Sequence, residues 1–267
     1  RAGFLVSACR CANARNPEPI SHTVQALPDM CARFSLHKGQ TMRITPIAKA
    51  DARAICGTLT QTSKMPCKSS SLPTESCQTG ARMAEIPGSI CASCYADKGF
   101  YQVYANTIKP AQFARLDAVW QAMKSADYAQ AWISGMAALI GTDAYFRHHD
   151  SGDLQGLAHL ELIAQLAQAT PDTLHWLPTR EYAMVKAYIA KHGALPKNLI
   201  VRLSAMYPDQ PVKVPASLAN VPGVTVSNVH TAGAPVHGQR CIAPDQAGAC
   251  GTCRACWSDV PVSYELH

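Results

Sequence analysis

Strand-like and helix-like patterns alternate through the second half of this chain. That alternation predicts an α/β fold, either a partial (β/α) barrel or an open parallel sheet. A cysteine-rich loop segment is expected before it, and a C-terminal four-cysteine motif after it. Two further observations support the prediction. The strand–helix–strand units are about 25–30 residues long, the length of a right-handed parallel crossover. At 267 residues the chain is too short for a full eightfold barrel, yet long enough to bury its own core.

Taken in order, residues 1–41 hold neither helical nor strand periodicity for long and carry Cys9, Cys11 and Cys31. They read as an extension, with Met42 as the natural start and 42–267 as a single α/β domain. Residues 56–104 are rich in Ser, Pro, Thr and Gly and read mostly as loop. A loop of that length in a compact domain is functional or tied down. Phe113, Leu116, Val119, Trp120 and Met123 then recur at helical spacing, and Ala129 to Ile140 reads as a second helix. Strands are expected at 144–148, 173–177, 198–203 and 224–228, with helices at 154–169 and 181–192 between the first three.

Composition excludes several classes. At 48% hydrophobic and 16% charged the chain is neither disordered nor fibrous. A membrane span needs about 18 uncharged apolar residues. The nearest run, 129–146, is broken by Ser134, Gly135, Gly141, Thr142 and Asp143. The net charge of +6 counts every cysteine as neutral, and the basic residues are scattered, so an acidic partner is weakly indicated. Twelve cysteines in a chain of this size favour metal or cluster thiolates in a reducing compartment. A disulfide-stapled secreted protein is the contrary reading.

In parallel α/β folds the site lies at the carboxyl ends of the strands. Those ends carry Arg147, His148, Asp150, Ser151, Gly152 and Asp153; then Thr179 and Arg180; then Arg202 and Ser204; then His230. Helix capping could account for Asp150, Ser151 or Asp153. It does not account for three arginines at comparable positions, whose planar forks suit a carboxylate or phosphate. Arg147, His148, Asp150, Asp153, Arg180, Arg202 and His230 are therefore candidate catalytic residues, and Ser151, Gly152, Thr179 and Ser204 candidate cofactor contacts.

The cysteines fall into two sets. Cys241, Cys250, Cys253 and Cys256 combine two consecutive CxxC steps with one remote thiol, a four-thiolate shell for an iron–sulfur cluster or zinc. Cys77, Cys91 and Cys94 supply three thiolates and leave a fourth position open for an external ligand. Were Cys67 to join them, that site would be closed. Cys56 has no partner pattern and reads as a buried thiol. Tyr95, Lys98, Tyr101 and Tyr104 follow Cys94 closely enough to pack over a cluster or simply in the core.

The runs Lys64–Pro73 with Cys77, Gly88–Tyr101, Tyr145–Leu154, Trp176–Glu181, Val201–Ser204 and Cys241–His267 resemble the phage gene product 88 family over roughly residues 60–267. Ile242 stands where proline is expected, a change that should not disturb ligation. The resemblance implies a phage origin and action in the cytoplasm of a bacterial host, with no established activity to carry over. A more distant likeness to radical-SAM-like phage proteins favours the open-cluster reading.

The expectation is thus an iron–sulfur protein with 4Fe–4S clusters, one open and one closed, that uses S-adenosylmethionine on a small-molecule or nucleic-acid substrate with an electron donor and no membrane. The competing expectation is a zinc-stabilised binding module, not an enzyme, that engages host protein or nucleic acid.

Overall fold

The structure, a computed structural model, describes residues 44–62 and 64–266. The expected extension 1–41, with Cys9, Cys11 and Cys31, lies outside the described residues, as does Met42.

An open eight-stranded sheet organises the chain, in the order β1-β2-β3-β4-β5-β6-β8-β7. The strands are β1 (Thr60–Gln61), β2 (Lys68–Ser69), β3 (Tyr145–Arg147), β4 (Leu174–Thr179), β5 (Leu199–Ser204), β6 (Val224–His230), β7 (Gln239–Arg240) and β8 (Val262–Glu265). Only β1 and β2 pair antiparallel; every other neighbouring pair is parallel. Of the two predicted architectures the open sheet is the one observed, since β1 and β7 end it without meeting.

The helices are α1 (Lys49–Cys56), α2 (Thr79–Ala84), α3 (Phe100–Val103), α4 (Ala105–Lys124), α5 (Ala126–Ile140), α6 (Leu157–Ala169) and α7 (Tyr182–His192). The long apolar helices and the four central strands fall within a few residues of their sequence expectations. Two-residue strands such as Lys68–Ser69 are too short to show alternation, so the 56–104 segment read as loop. Helix α6 starts at Leu157 with Gly156 before it and no side-chain cap, so Asp150, Ser151 and Asp153 are not its caps.

Side-chain alternation sorts the strands onto two faces. Register places Phe146, His175, Leu177, Leu199, Val201 and Leu203 on one face. There they join residues of α1, α4, α5, α6 and α7, such as Cys56, Val119, Ile133, Leu160 and Val185, in the main core. Tyr145, Arg147, Trp176 and Arg202 alternate onto the opposite face. No described helix of the main core covers that face; the crossover from β7 to β8 does. Trp257 of this crossover packs on Trp176 and Tyr145 and donates its indole N–H to Phe146 O at 3.0 Å. No described helix is long and apolar enough to cross a membrane.

The segment after β2 lies against the segment after β3. Leu72 N–H donates to Ser151 O at 2.9 Å, Ser151 Oγ donates to Leu72 O at 2.8 Å, and Asp150 N–H donates to Ser70 O at 3.1 Å. Arg115 of α4 holds the same stretch through Ser71 O and Ser71 Oγ, both at 2.6 Å. Gly152 sits where the two chains touch, with φ +77°. A Cβ there would lie 2.6 Å from Leu72 Cβ and 2.9 Å from Leu72 O. Gly152→Ala is expected to cost about 1–3 kcal/mol from strain and collision together. Gly193→Ala has a similar φ of +81° and open space, so it should cost only the strain. Thermal denaturation of the two variants checks the difference.

Candidate functional site

The loop after β2 carries Cys77, Cys91 and Cys94 to the carboxyl edge of the sheet. Cys77 follows a 3₁₀ turn at Thr74–Ser76, and Cys91–Ser93 forms a second tight turn closed by Cys94 N–H on Cys91 O at 3.2 Å. Three contacts hold the loop to the strand ends. Glu181, just past β4, accepts Thr79 N–H at 2.7 Å and Thr79 Oγ at 2.9 Å. Ile90 N–H donates to Met206 O, just past β5, at 3.0 Å. The Tyr95 hydroxyl donates to Asp150 O, past β3.

Gly80 closes this loop over two sulfurs. A Cβ at Gly80 would lie 3.0 Å from Cys77 Cβ, 3.6 Å from Cys77 Sγ and 3.8 Å from Cys91 Sγ. The sequence predicted these three thiols to share a site, and the fold puts them beside one another with Arg180 and Asp153. Burial pushes the Cys77 thiol up to about 12, with Asp153, Cys94 and Cys91 adding to it and Arg180 opposing. Burial raises Cys91 and Cys94 too, and the Arg180 charge again opposes. The Arg180 guanidinium is held by its Nε bond to Ala205 O at 3.0 Å.

Asp153 fixes the turn behind the thiols. Its carboxylate accepts Leu154 N–H at 2.7 Å, Thr179 Oγ at 2.6 Å and Arg180 N–H at 2.8 Å. Burial lifts its pKa to about 6 despite those bonds. Thr179 Oγ also accepts Glu181 N–H at 3.0 Å. Asp153 and Thr179 are therefore positioning groups for Arg180 and Glu181. Glu181 and Gly80 escaped the sequence reading. A glutamate at a helix start reads as an ordinary dipole partner, and a glycine in a loop as a turn.

Other predicted residues go elsewhere. His148 points to the helical face, where its Nε2 lies 3.0 Å from His175 Nδ1; His175 Nε2 lies 2.8 Å from Thr170 Oγ. Thr170 Oγ donates to Leu166 O at 2.8 Å, so His175 Nε2 must donate to it and His148 Nε2 to His175. His230 pairs with Ser263 Oγ at 2.8 Å, two strands from β4. Ser204 Oγ meets Ser227 Oγ at 3.4 Å. Ser151 and Gly152 join the two loops as described. Arg202, fully buried in β5, donates to Ala255 O, Cys256 O, Ser258 O and Val226 O at 2.5–3.0 Å, so it holds the C-terminal cysteine segment.

Cys67 departs from its expected company. It lies on the opposite face with Trp176, Trp257 and Cys256, within the C-terminal thiol group and not with Cys77. Arg147 stands between the two groups. It donates to Tyr95 Oη at 3.3 Å and stacks 4.5 Å above the Trp176 ring. The nine cysteines of the described residues are free thiols, and Cys56 is buried in the core as expected. Among the described residues no three His, Cys, Asp or Glu side chains are close enough to hold a metal ion as they stand. A depression of about 480 Å³ lies at the amino side of β3 and β4 by Ile44, Gly141 and Thr170, and carries none of the predicted residues.

Motif spacing, sheet and loop agree with one comparison. The profile of the Gene product 88 family matches residues 35–259. The chain belongs to the Gene product 88 family. The match begins within the segment 1–41 that the sequence set apart. It supports a phage protein and gives the distant radical-SAM likeness no support. No curated protein and no solved structure matches this Gene product 88 chain.

Burial lowers His148, His149, His159 and His175, with His159 falling to about 3 and His175 to about 4. The unfolded chain binds those protons from about pH 6.5 downwards while the folded one does not. Stability is therefore complete above about 6.5 and is lost as pH falls towards 4, by about 1.4 kcal/mol per pH unit for each histidine. Buried Asp150 and Asp153, whose pKa values are raised, act oppositely, but two groups oppose four. Urea unfolding should show a lower midpoint at pH 5 than at pH 7, and His159→Gln should flatten the slope.

Proposed function

We propose that this Gene product 88 family member is a metal–thiolate protein whose reactive centre is an iron–sulfur cluster held by Cys77, Cys91 and Cys94. The observation that carries the reading is the gathering of these three thiols, two of them under Gly80, at the carboxyl ends of β4 and β5 against the Arg180 guanidinium. Three half-buried thiols and one fixed cation suit a centre whose thiolates bring more negative charge than one metal ion cancels. Gly80 fits the same purpose, because a side chain there would fill the space over the sulfurs. Ligation requires the thiols to lose protons and draw closer together.

A cluster with three protein ligands offers one metal position to an external group. Such a position takes a carboxylate or amine, and S-adenosylmethionine is the cofactor that presents both. The chain's own residues would then do the following. Arg180 offers its free N–H donors to the ligand's carboxylate beside the thiols. Asp153 keeps the Arg180 backbone in place through Arg180 N–H, and Glu181 keeps Thr79, and with it the Cys77 loop, on the sheet. Tyr95 closes the side towards Arg147. The C-terminal cysteines form the closed centre of the same reading.

Zinc in place of a cluster is the second reading, favoured by the two CxxC steps at the C-terminus. Iron, sulfide and zinc per chain, measured on protein purified without oxygen, decide between them. A cluster protein is brown and bleaches with dithionite; Cys91→Ser should remove one cluster's iron and abolish any S-adenosylmethionine cleavage. Colourless protein with two zincs ends the cluster reading, and full iron in Cys91→Ser ends the assignment of that cluster.

A further inference from the structure

The face of the sheet under the β7–β8 crossover concentrates groups that the strand-end site does not use. Cys67 precedes β2, whose Ser69 pairs with Arg147, so alternation puts Cys67 on the face of Arg147 and Tyr145. It is buried against Trp176 and Trp257, with Cys256, Met65 and Tyr264 packed around them. The loop bearing Cys250 is stitched to the segment bearing Cys67 by Cys250 N–H on Lys64 O at 2.9 Å. Cys256 Sγ lies 3.2 Å from Tyr264 Oη.

Three arginines flank these thiols, with Lys64 on the neighbouring loop. Arg147 stacks on Trp176, Arg202 holds the Cys256 carbonyl at 3.0 Å, and Arg254 lies 5.1 Å from the Tyr145 ring centre. Lys64 Nζ lies 2.8 Å from where a Gly248 Cβ would be. Two of the buried N–H donors on this face, Arg147 Nε and Trp176 Nε1, have no acceptor. Unpaired buried donors are costly. Anionic sulfur is an acceptor that this pocket can supply from its own cysteines, provided a metal displaces their protons.

We infer that Cys67 is one of the four thiolates that hold the C-terminal metal centre, drawn with Cys250 and Cys256 from a five-thiol, cation-lined group that also includes Cys241 and Cys253 and is separate from the Cys77 centre. The inference rests on the metal–thiolate reading above and resolves the question, left open by spacing, of whether Cys67 joins the Cys77 centre. Arg147 is a positioning residue here: it stacks on Trp176 beside the thiols, donates to Met65 Sδ at 3.4 Å and reaches Tyr95, the neighbour of Cys94. The site therefore takes a net-negative centre, an iron–sulfur cluster or thiolate-bound zinc.

The test is metal content of the full chain, purified without oxygen, in single and paired variants. Cys67→Ser should lose the same metal as Cys256→Ser, and the pair together should lose no more than either alone. Cys67→Ser combined with Cys77→Ser should lose both fractions. Cys56→Ser removes an equally buried thiol from the helical core and should keep all its metal, which separates ligation from simple destabilisation. Loading with cobalt(II) gives a second readout, since its sulfur charge-transfer band should weaken in Cys67→Ser while circular dichroism stays native. Full metal in Cys67→Ser, or a Cys67/Cys77 pair no worse than Cys77→Ser alone, overturns the inference and leaves the Cys77 reading standing. A metal-free wild-type chain overturns both.

Discussion

A single buried guanidinium ties the two layers of this protein together. Arg202 sits in the middle of the sheet, yet all its hydrogen bonds run to carbonyls: Val226 of β6 and Ala255, Cys256 and Ser258 of the crossover. A charge taken out of water is tolerable only where dipoles replace the water, and four carbonyl oxygens do that here. In return the crossover, which has little regular structure of its own, acquires a fixed seat. Trp257 then fills the space beside Trp176, and the C-terminal cysteines are held at one place on the sheet. Remove the guanidinium and the Cys256 and Ser258 carbonyls lose their donor at once, while Ala255 O keeps Ser258.

The strand ends obey the same rule with opposite charge. Asp153 and Glu181 are buried carboxylates with their oxygens turned to N–H and O–H groups of neighbouring turns. Each joins a turn after one strand to a segment from elsewhere in the chain. Buried polar networks of this sort are worth their desolvation when fully satisfied, and they specify one arrangement. Here the arrangement they specify brings three thiols and an arginine to one point.

Much of the scaffold was legible because long apolar periodicity survives any tertiary context. Leu199 to Leu203 could be little but a buried strand, and Leu157 to Leu166 little but a helix under it. The gathering of Cys77, Cys91, Cys94 and Arg180 was legible from spacing and the strand-end rule. What was not legible depended on face and partner. Arg202 and Arg180 look alike in sequence, two residues and one residue from a strand's end region, yet one alternates into the sheet's far face and the other leaves the sheet. His148 continues the alternation of β3 and meets His175 on the helical face, whereas the chain bends at His149 (φ +51°) and turns Asp150 towards Ser69. Cys67 is ten residues from Cys77, yet it packs on the Trp176 face of the sheet while Cys77 lies past the strand ends, a division that a linear count cannot see.

The sheet has a thick helical cover on one side and a thin one on the other. The thin cover consists of the β7–β8 crossover, short turns pinned by Arg202, Trp257 and the packing around its own cysteines. Its loss would bare Tyr145, Trp176 and Ile200 as a contiguous apolar strip on a parallel sheet, the kind of surface that quality-control machinery recognises. The aromatic strip and the C-terminal cysteines therefore share one thin cover, and the Arg202 guanidinium is the seat of both.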